Sequence, residues 1–358
     1  MDLLSDILGA ARLRGRFYFP VCATGDWAVR VPEEPGAFRF HVLRRGTCWI
    51  GVGSEPAWTR LAEGDLAIVP HGAAQVLADA CDRPALELDA ALRDAGFSGS
   101  GDVRLGAPGG GGADLLCGAC MVERGGGHPL FQTLPPLLIL SDRDLGPWIA
   151  QAFERLAQDA RSARAGFRAI ADRLFEILLA EAFRAVLARG GNEVGFLGAM
   201  AHPNIGRALR AMHETPDRDW TLELLAGEAG LSRSRFAELF RQLAGHAPLQ
   251  YLARWRLEQA RGLLLETRLG VAEIAHRVGY ESLPAFTRSF KRHFGTGPGT
   301  LRREALAIAD AVAGKPSPNP LQQAGERLDV SRSHVRGPEP RSGSSGRGEG
   351  AVVKASKV

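Results

Sequence analysis

Hydrophobic positions change period twice along the chain. From about residue 12 to residue 140 they come as short apolar or alternating runs parted by glycine and proline, the pattern of strands. "FRFHVL" and "TCWIGV" are two such runs. "GDLAIVPHGAAQVL" (Gly64–Leu77) gives a turn, a short strand, a Pro-His-Gly turn and a second strand. Many short strands with frequent turn residues predict a sandwich or barrel. Over 145–189 the period becomes helical: Phe167, Ile170, Leu174, Ile177 and Leu178 form one stripe, with Arg168, Asp172 and Arg173 off it. "ARGGNEVG" reads as a loop, and helical spacing resumes over 204–303.

The last helical region is broken twice in the same way. In "VAEIAHRVGYESLPAFTRSFKRHFG" (Val271–Gly295), Val271, Ile274, Ala275 and Val278 follow i, i+3, i+4, i+7. Gly279 is placed to end that helix in the left-handed conformation, Ser282 to cap the next, and Pro284 suits its first turn. Phe286, Phe290 and Phe294 then repeat every four residues, with Arg288, Lys291 and Arg292 opposite. Aromatics inward and cations outward predict a helix-turn-helix whose second helix enters a DNA major groove. "TLELLAGEAGLSRSRFAELFRQLAG" (Thr221–Gly245) is an earlier copy. Leu222, Leu225, Ala226 and Ala229 lead to Gly230 and Ser232; Phe236, Phe240 and Leu243 face inward, Arg233, Arg235 and Arg241 outward. Between them "PLQYLARWRLEQARGLLLE", apolar at Ala253, Leu257, Ala260 and Leu264, reads as one long helix. Such a rod would hold the two units roughly one DNA turn, about 34 Å, apart on one duplex face.

Charge agrees with this division. Residues 1–202 carry 20 Lys/Arg against 24 Asp/Glu, a balance of −4; residues 203–303 carry 16 against 10, a balance of +6. The basic excess therefore sits on the helices that would meet nucleic acid. Five cysteines, Cys22, Cys48, Cys81, Cys117 and Cys120, show no framework spacing and fit reduced thiols. Cys117 and Cys120 form a lone C-x-x-C on a probable strand, where i and i+3 point to opposite faces. "GSGDVRLGAPGGGGADLL" lacks the G-K-[ST] of a phosphate loop and reads as a hairpin loop. No apolar run reaches a membrane span and no signal peptide is evident, which points to the cytoplasm. From about 305 the chain is rich in Pro, Gly, Ser and charge, and is expected to be disordered.

Residues 203–303 resemble the DNA-binding domain of the AraC/XylS family of bacterial transcription regulators. Ala226, Gly230, Ser232 and Phe240 carry the resemblance, with "G-x-x-P-x-x-Y" (Gly245, Pro248, Tyr251), Arg256, Ala260, Leu264, "IAxxVGYES", "FxRxFKRxFG" and Gly297-Pro298. "FHVLRRGTCWIGV", "GDLAIVPHG" and "HPLFQTLPPLLIL" resemble the cupin-type sensor domain often fused to it. The resemblance implies an α+β multidomain chain: a β-barrel sensor over 1–141, a helical linker with possible dimer contacts over 142–202, two helix-turn-helix units over 203–304, and a tail over 305–358. It implies a sequence-specific regulator of promoter DNA, responsive to a small-molecule effector, working with RNA polymerase if it activates, and able to form a homodimer. No cofactor and no membrane are expected.

Residues expected to face DNA are Arg233, Ser234, Arg235, Glu238 and Arg241 in the first unit. In the second they are Ser282, Leu283, Thr287, Arg288, Lys291 and Arg292. Arginine reads guanine bidentately, and any of these cations could instead grip phosphate. The alternative is a cupin-type metalloenzyme with a helical appendage. Metal cupins would offer a histidine where Gln75 stands, so His41 and His71 make a poor ligand set, and no metal or catalytic residue is expected.

Overall fold

The computed structural model describes residues 2–313 except 55, 82, 100, 108–111, 124–125, 163 and 190–194. Most of the expected tail, and most of the expected loop before Gly195, lie outside the described residues. Residues 305–313 do not behave as tail: they continue the last helix, which runs Pro298–Ala313.

The N-terminal strands form two sheets. The larger has the order β11 (Leu138–Leu140), β6 (Leu66–Val69), β3 (Ala37–Gly46), β10 (Gly112–Val122), β1 (Leu13–Thr24) and β9 (Val103–Leu105). The smaller has β5 (Thr59–Leu61), β4 (Cys48–Val52), β7 (Gln75–Ala78), β2 (Ala28–Val31) and β8 (Leu86–Glu87). Among the described residues no ladder joins them into a closed barrel. Phe19, Val21, Leu43, Ile50, Leu61, Leu77 and Cys117 pack together between them. The opposite face of the larger sheet presents Phe17, Phe38, Phe40, Val42 and Cys120 to helices. Cys117 and Cys120 thus point to opposite faces, as strand geometry requires. β3 is covered on both sides, so Ala37–Leu43 is buried without alternation.

Short helices edge this domain: α1 (Leu3–Ala11), α2 (Leu88–Asp94), α3 (Pro129–Gln132) and α4 (Asp142–Leu145). Two longer ones, α5 (Pro147–Arg161) and α6 (Phe167–Ala188), lie on the larger sheet. α6 buries Ala171, Phe175, Leu178, Leu179, Ala182 and Phe183. The predicted stripe is therefore only partly the packing face: Phe167 meets Phe17 edge-on at 5.0 Å and Leu178 is buried, but Ile170 and Ile177 face solvent. Asp172, placed off the apolar stripe, accepts from the Phe17 N–H at 2.8 Å, and Glu176 accepts from the Gly15 N–H at 3.1 Å. Among the described residues β9 pairs with residues 21–23 of β1, and these two carboxylates satisfy two N–H groups of the edge it leaves open.

The C-terminal helices are α7 (Gly195–Ala201), α8 (Pro203–Glu214), α9 (Leu222–Ala229), α10 (Arg233–Ala244), α11 (Pro248–Glu266), α12 (Val271–Arg277), α13 (Leu283–Phe294) and α14 (Pro298–Ala313). They fall into two cores. Phe196, Leu209, Phe236, Phe240, Tyr251 and Trp255 belong to the same continuous core as the helix-facing side of the larger sheet. Leu257, Ala260, Leu264, Ile274, Ala275, Val278, Phe286 and Phe290 form a separate, smaller one. α11 joins both, giving its N-terminal half to the first and its C-terminal half to the second. Its 19 residues span about 28 Å at 1.5 Å per residue.

Candidate nucleic-acid interface

Each helix pair, α9–α10 and α12–α13, owes its turn to a glycine. Gly230 and Gly279 have φ of +65° and +80°, a region that residues with a Cβ enter at a cost. Ser232 then accepts from the Arg235 N–H at 3.4 Å and caps α10. Ser282 holds the equivalent position before α13, but its hydroxyl makes no capping bond, contrary to expectation; Pro284 in the first turn is where the sequence put it. The turns are also anchored at long range. Asn204 and Arg207 both donate to the Ala229 carbonyl, at 2.6 and 2.7 Å. Arg256 donates to the carbonyls of Pro216, Arg218 and Gly279, at 2.6, 2.8 and 3.1 Å, and so ties the second turn to the loop before α9. Arg302 does the same for Leu264 and Leu269. Spacing alone gave no sign of these roles, because each arginine spends its charge on carbonyls distant in sequence.

The second helix of each pair buries its aromatics and turns its cations out. Phe236, Phe240, Phe286 and Phe290 are fully buried. Arg233, Ser234, Arg235, Glu238 and Arg241 are exposed along α10; Ser282, Leu283, Arg288, Lys291 and Arg292 are exposed at α13, and Thr287 is half-buried. Two of the cations are held in place: Arg233 pairs with Glu223 at 2.8 Å and Arg235 with Glu238 at 3.4 Å. Among the described residues Arg241, Arg288, Lys291 and Arg292 form no ion pair, so three of these four unpaired cations lie on α13.

The space between the two sheets holds a different polar group. Gln75 Nε2 donates to His41 Nε2 at 2.9 Å, and His41 Nδ1 lies 3.3 Å from Cys117 Sγ. Burial pushes the His41 imidazole down to about 3 and the Cys117 thiol up to about 12, so both are neutral at pH 7. His41 is engaged at both nitrogens, which leaves it no free valence for a metal. His71 is exposed in a turn with φ of +64°. Among the described residues no three His, Cys, Asp or Glu side chains are grouped as a metal site would require.

Two family models match the chain, a cupin over residues 2–188 and a helix-turn-helix domain over residues 225–304. An AraC-like transcription regulator of Streptomyces lividans is 32% identical over 305 residues, 85% of this chain and 98% of its own. The chain belongs to the AraC family of transcription regulators. A second AraC-like regulator, from Streptomyces antibioticus, is 30% identical over 310 residues, 86% of this chain and 100% of its own. The DNA-binding domain of AdpA, a global transcriptional factor solved in complex with a target DNA, is 33% identical over 32% of this chain and 98% of its own, with a TM-score of 0.28. The AraC-family relatives are regulators rather than enzymes, and the cupin part of this chain fits ligand sensing. No described helix is long and apolar enough to cross a membrane.

Proposed function

We propose that this regulator reads double-stranded promoter DNA through two helix-turn-helix units. α10 and α13 enter successive major-groove segments, and α11 spaces them. The observation that carries this reading is the repeated device itself: two glycine turns, each followed by a helix with buried phenylalanines and exposed cations. Arg233, Ser234, Arg235, Glu238 and Arg241 act in the first unit; Ser282, Leu283, Thr287, Arg288, Lys291 and Arg292 act in the second. The cupin domain takes a small-molecule effector, RNA polymerase is the partner if the chain activates, and the protein works in the cytoplasm where its promoter lies. Arg235→Ala and Arg288→Ala should leave the fold intact, since both side chains are exposed. Each should weaken promoter binding by about 1–3 kcal/mol if it reads a base, relaxing specificity at one position. A phosphate contact would weaken all sequences alike and flatten the salt slope. Gel-shift titration over a salt series separates the two, and unchanged affinity in both variants would remove these helices from the groove.

A second copy of the chain fits the exposed side of α5 and α6. Trp148, Ile170 and Ile177 are 43%, 54% and 44% exposed, three large apolar side chains on neighbouring helices. Ile170→Glu and Ile177→Glu should give folded monomers with a weaker grip on a two-site promoter. Leu174 differs, because it packs beside Phe153 and Leu178, so Leu174→Glu should also cost stability. Sedimentation of the wild type as a monomer at micromolar concentration, with and without promoter DNA, would defeat the dimer.

A further inference from the structure

Three polar side chains are buried in line between the sensor domain and the helices α8 and α11 that flank the first helix pair. His128 caps α3, and its Nδ1 accepts from the Leu130 N–H at 3.1 Å. Its proton therefore sits on Nε2, which donates to Tyr251 Oη on α11 at 3.0 Å. That hydroxyl has its own proton left to give, and His213 Nε2 on α8 accepts it at 2.6 Å. The remaining His213 proton lies on Nδ1, a buried atom without a hydrogen-bond partner. His128, Tyr251 and His213 are 6%, 1% and 4% exposed. Phe196 stacks on Tyr251 at 5.4 Å and Trp255 on His213 at 4.0 Å, so the line is sealed in aromatic rings.

We propose that the His128–Tyr251–His213 line is an acid-sensitive latch, which docks α8 and α11, the helices that carry the first helix pair, on the sensor domain and lets go when its imidazoles take up protons. The bonding pattern requires both rings neutral. A proton on His128 Nδ1 would set one N–H against the Leu130 N–H. A proton on His213 Nε2 would leave the Tyr251 hydroxyl no acceptor and bury a charge. Burial keeps His213 down at about 3 and His128 well below the ordinary imidazole range.

The surroundings set the sign. α3 and α7 carry no charged residue. From the α10–α11 corner His246, hydrogen-bonded to Arg254 at 2.7 Å, lowers His128 further. On α8 the neighbouring carboxylate is Glu214, and on α1, which packs on both α8 and α11, it is Asp6. The charged groups of α10 point to solvent. A base held neutral when docked stabilises docking above its free value, and that contribution is lost as pH falls below it. Asp6, raised by burial, works in the opposite sense, because the closed form holds its proton better. With a free imidazole near 6.5, each histidine favours opening about 10-fold at pH 5.5, and the two together about 100-fold.

Amide hydrogen exchange of the full chain, corrected for intrinsic rates, tests this without DNA. Opening of α8 and the first half of α11 should rise about 100-fold from pH 7.5 to pH 5.5. α12 and α13, on their own core, should keep their protection. His128→Gln with His213→Gln keeps an amide donor and acceptor at each place but cannot titrate, and should be flat. If that double variant does not fold, each single variant should show about a 10-fold response. A wild type insensitive to pH, equal loss of protection in α13, or an undiminished response in the glutamine variants would overturn the latch.

Discussion

Phe290→Ala should unfold the second helix pair and leave the rest of the chain folded. Phe290 is fully buried in a core of eight residues, against Phe286 at 5.5 Å and Phe294 at 4.6 Å. Deleting such a ring costs about 3–5 kcal/mol, through lost burial and the cavity left behind. A core this small has little else to hold α12 and α13. The large core shared by the sheet, α6 and the first pair does not include Phe290, so it should survive. The same change at Phe240 strikes that shared core and should lower the stability of sensor and first pair together. Hydrogen exchange of Phe290→Ala should therefore show α13 unprotected and α10 protected. Loss of protection throughout the chain would mean that the two cores fold as one.

Gly279→Ala should cost more than Gly230→Ala, although both remove a turn glycine. Each new methyl group would stand on a left-handed residue, at about 1–2 kcal/mol. The surroundings then separate them. At Gly230 the methyl would meet the tip of Arg207 at 2.7 Å, a flexible end able to move aside while loosening its bond to Ala229. At Gly279 it would meet the Cα of Asp217 at 2.8 Å and the Arg256 guanidinium at 2.9 Å. Backbone cannot yield so cheaply, and Arg256 holds three carbonyls at that point. A total of about 3 kcal/mol is expected at Gly279, against about 1–2 kcal/mol at Gly230. Chemical denaturation monitored at each pair gives the order, and a larger loss at Gly230 would contradict this view of the second turn.

The helix pairs were legible in the sequence because a local pattern determines them. Glycine, a capping position and phenylalanines four apart fix the turn and the buried face together, whatever else the chain does. Ser282 shows the limit of that reading: the residue is right for a cap, yet its hydroxyl finds no backbone N–H. The α6 stripe was half legible. Period alone cannot tell Phe175 and Leu179, which meet the sheet, from Ile170 and Ile177, which do not. The strands were legible as strands, but their assortment into two sheets depends on contacts far apart in sequence. So do the Arg256 tether, the carboxylates of α6 on the β1 edge, and the His128–Tyr251–His213 line. Tyr251 was visible only as a residue that the family shares; its partners lie 38 and 123 positions away.

Footprinting of the purified full chain across genomic DNA tests promoter recognition most directly. The expected result is a small set of strongly protected sites that share a sequence, each protected on two successive major-groove segments of one duplex face. Those segments should lie about 10 base pairs apart, the spacing of one helical turn. Protection should weaken steeply with salt at every site while the preferred sequence persists. Uniform protection that follows fragment length rather than sequence, or no protection at moderate salt, would contradict a sequence-specific regulator.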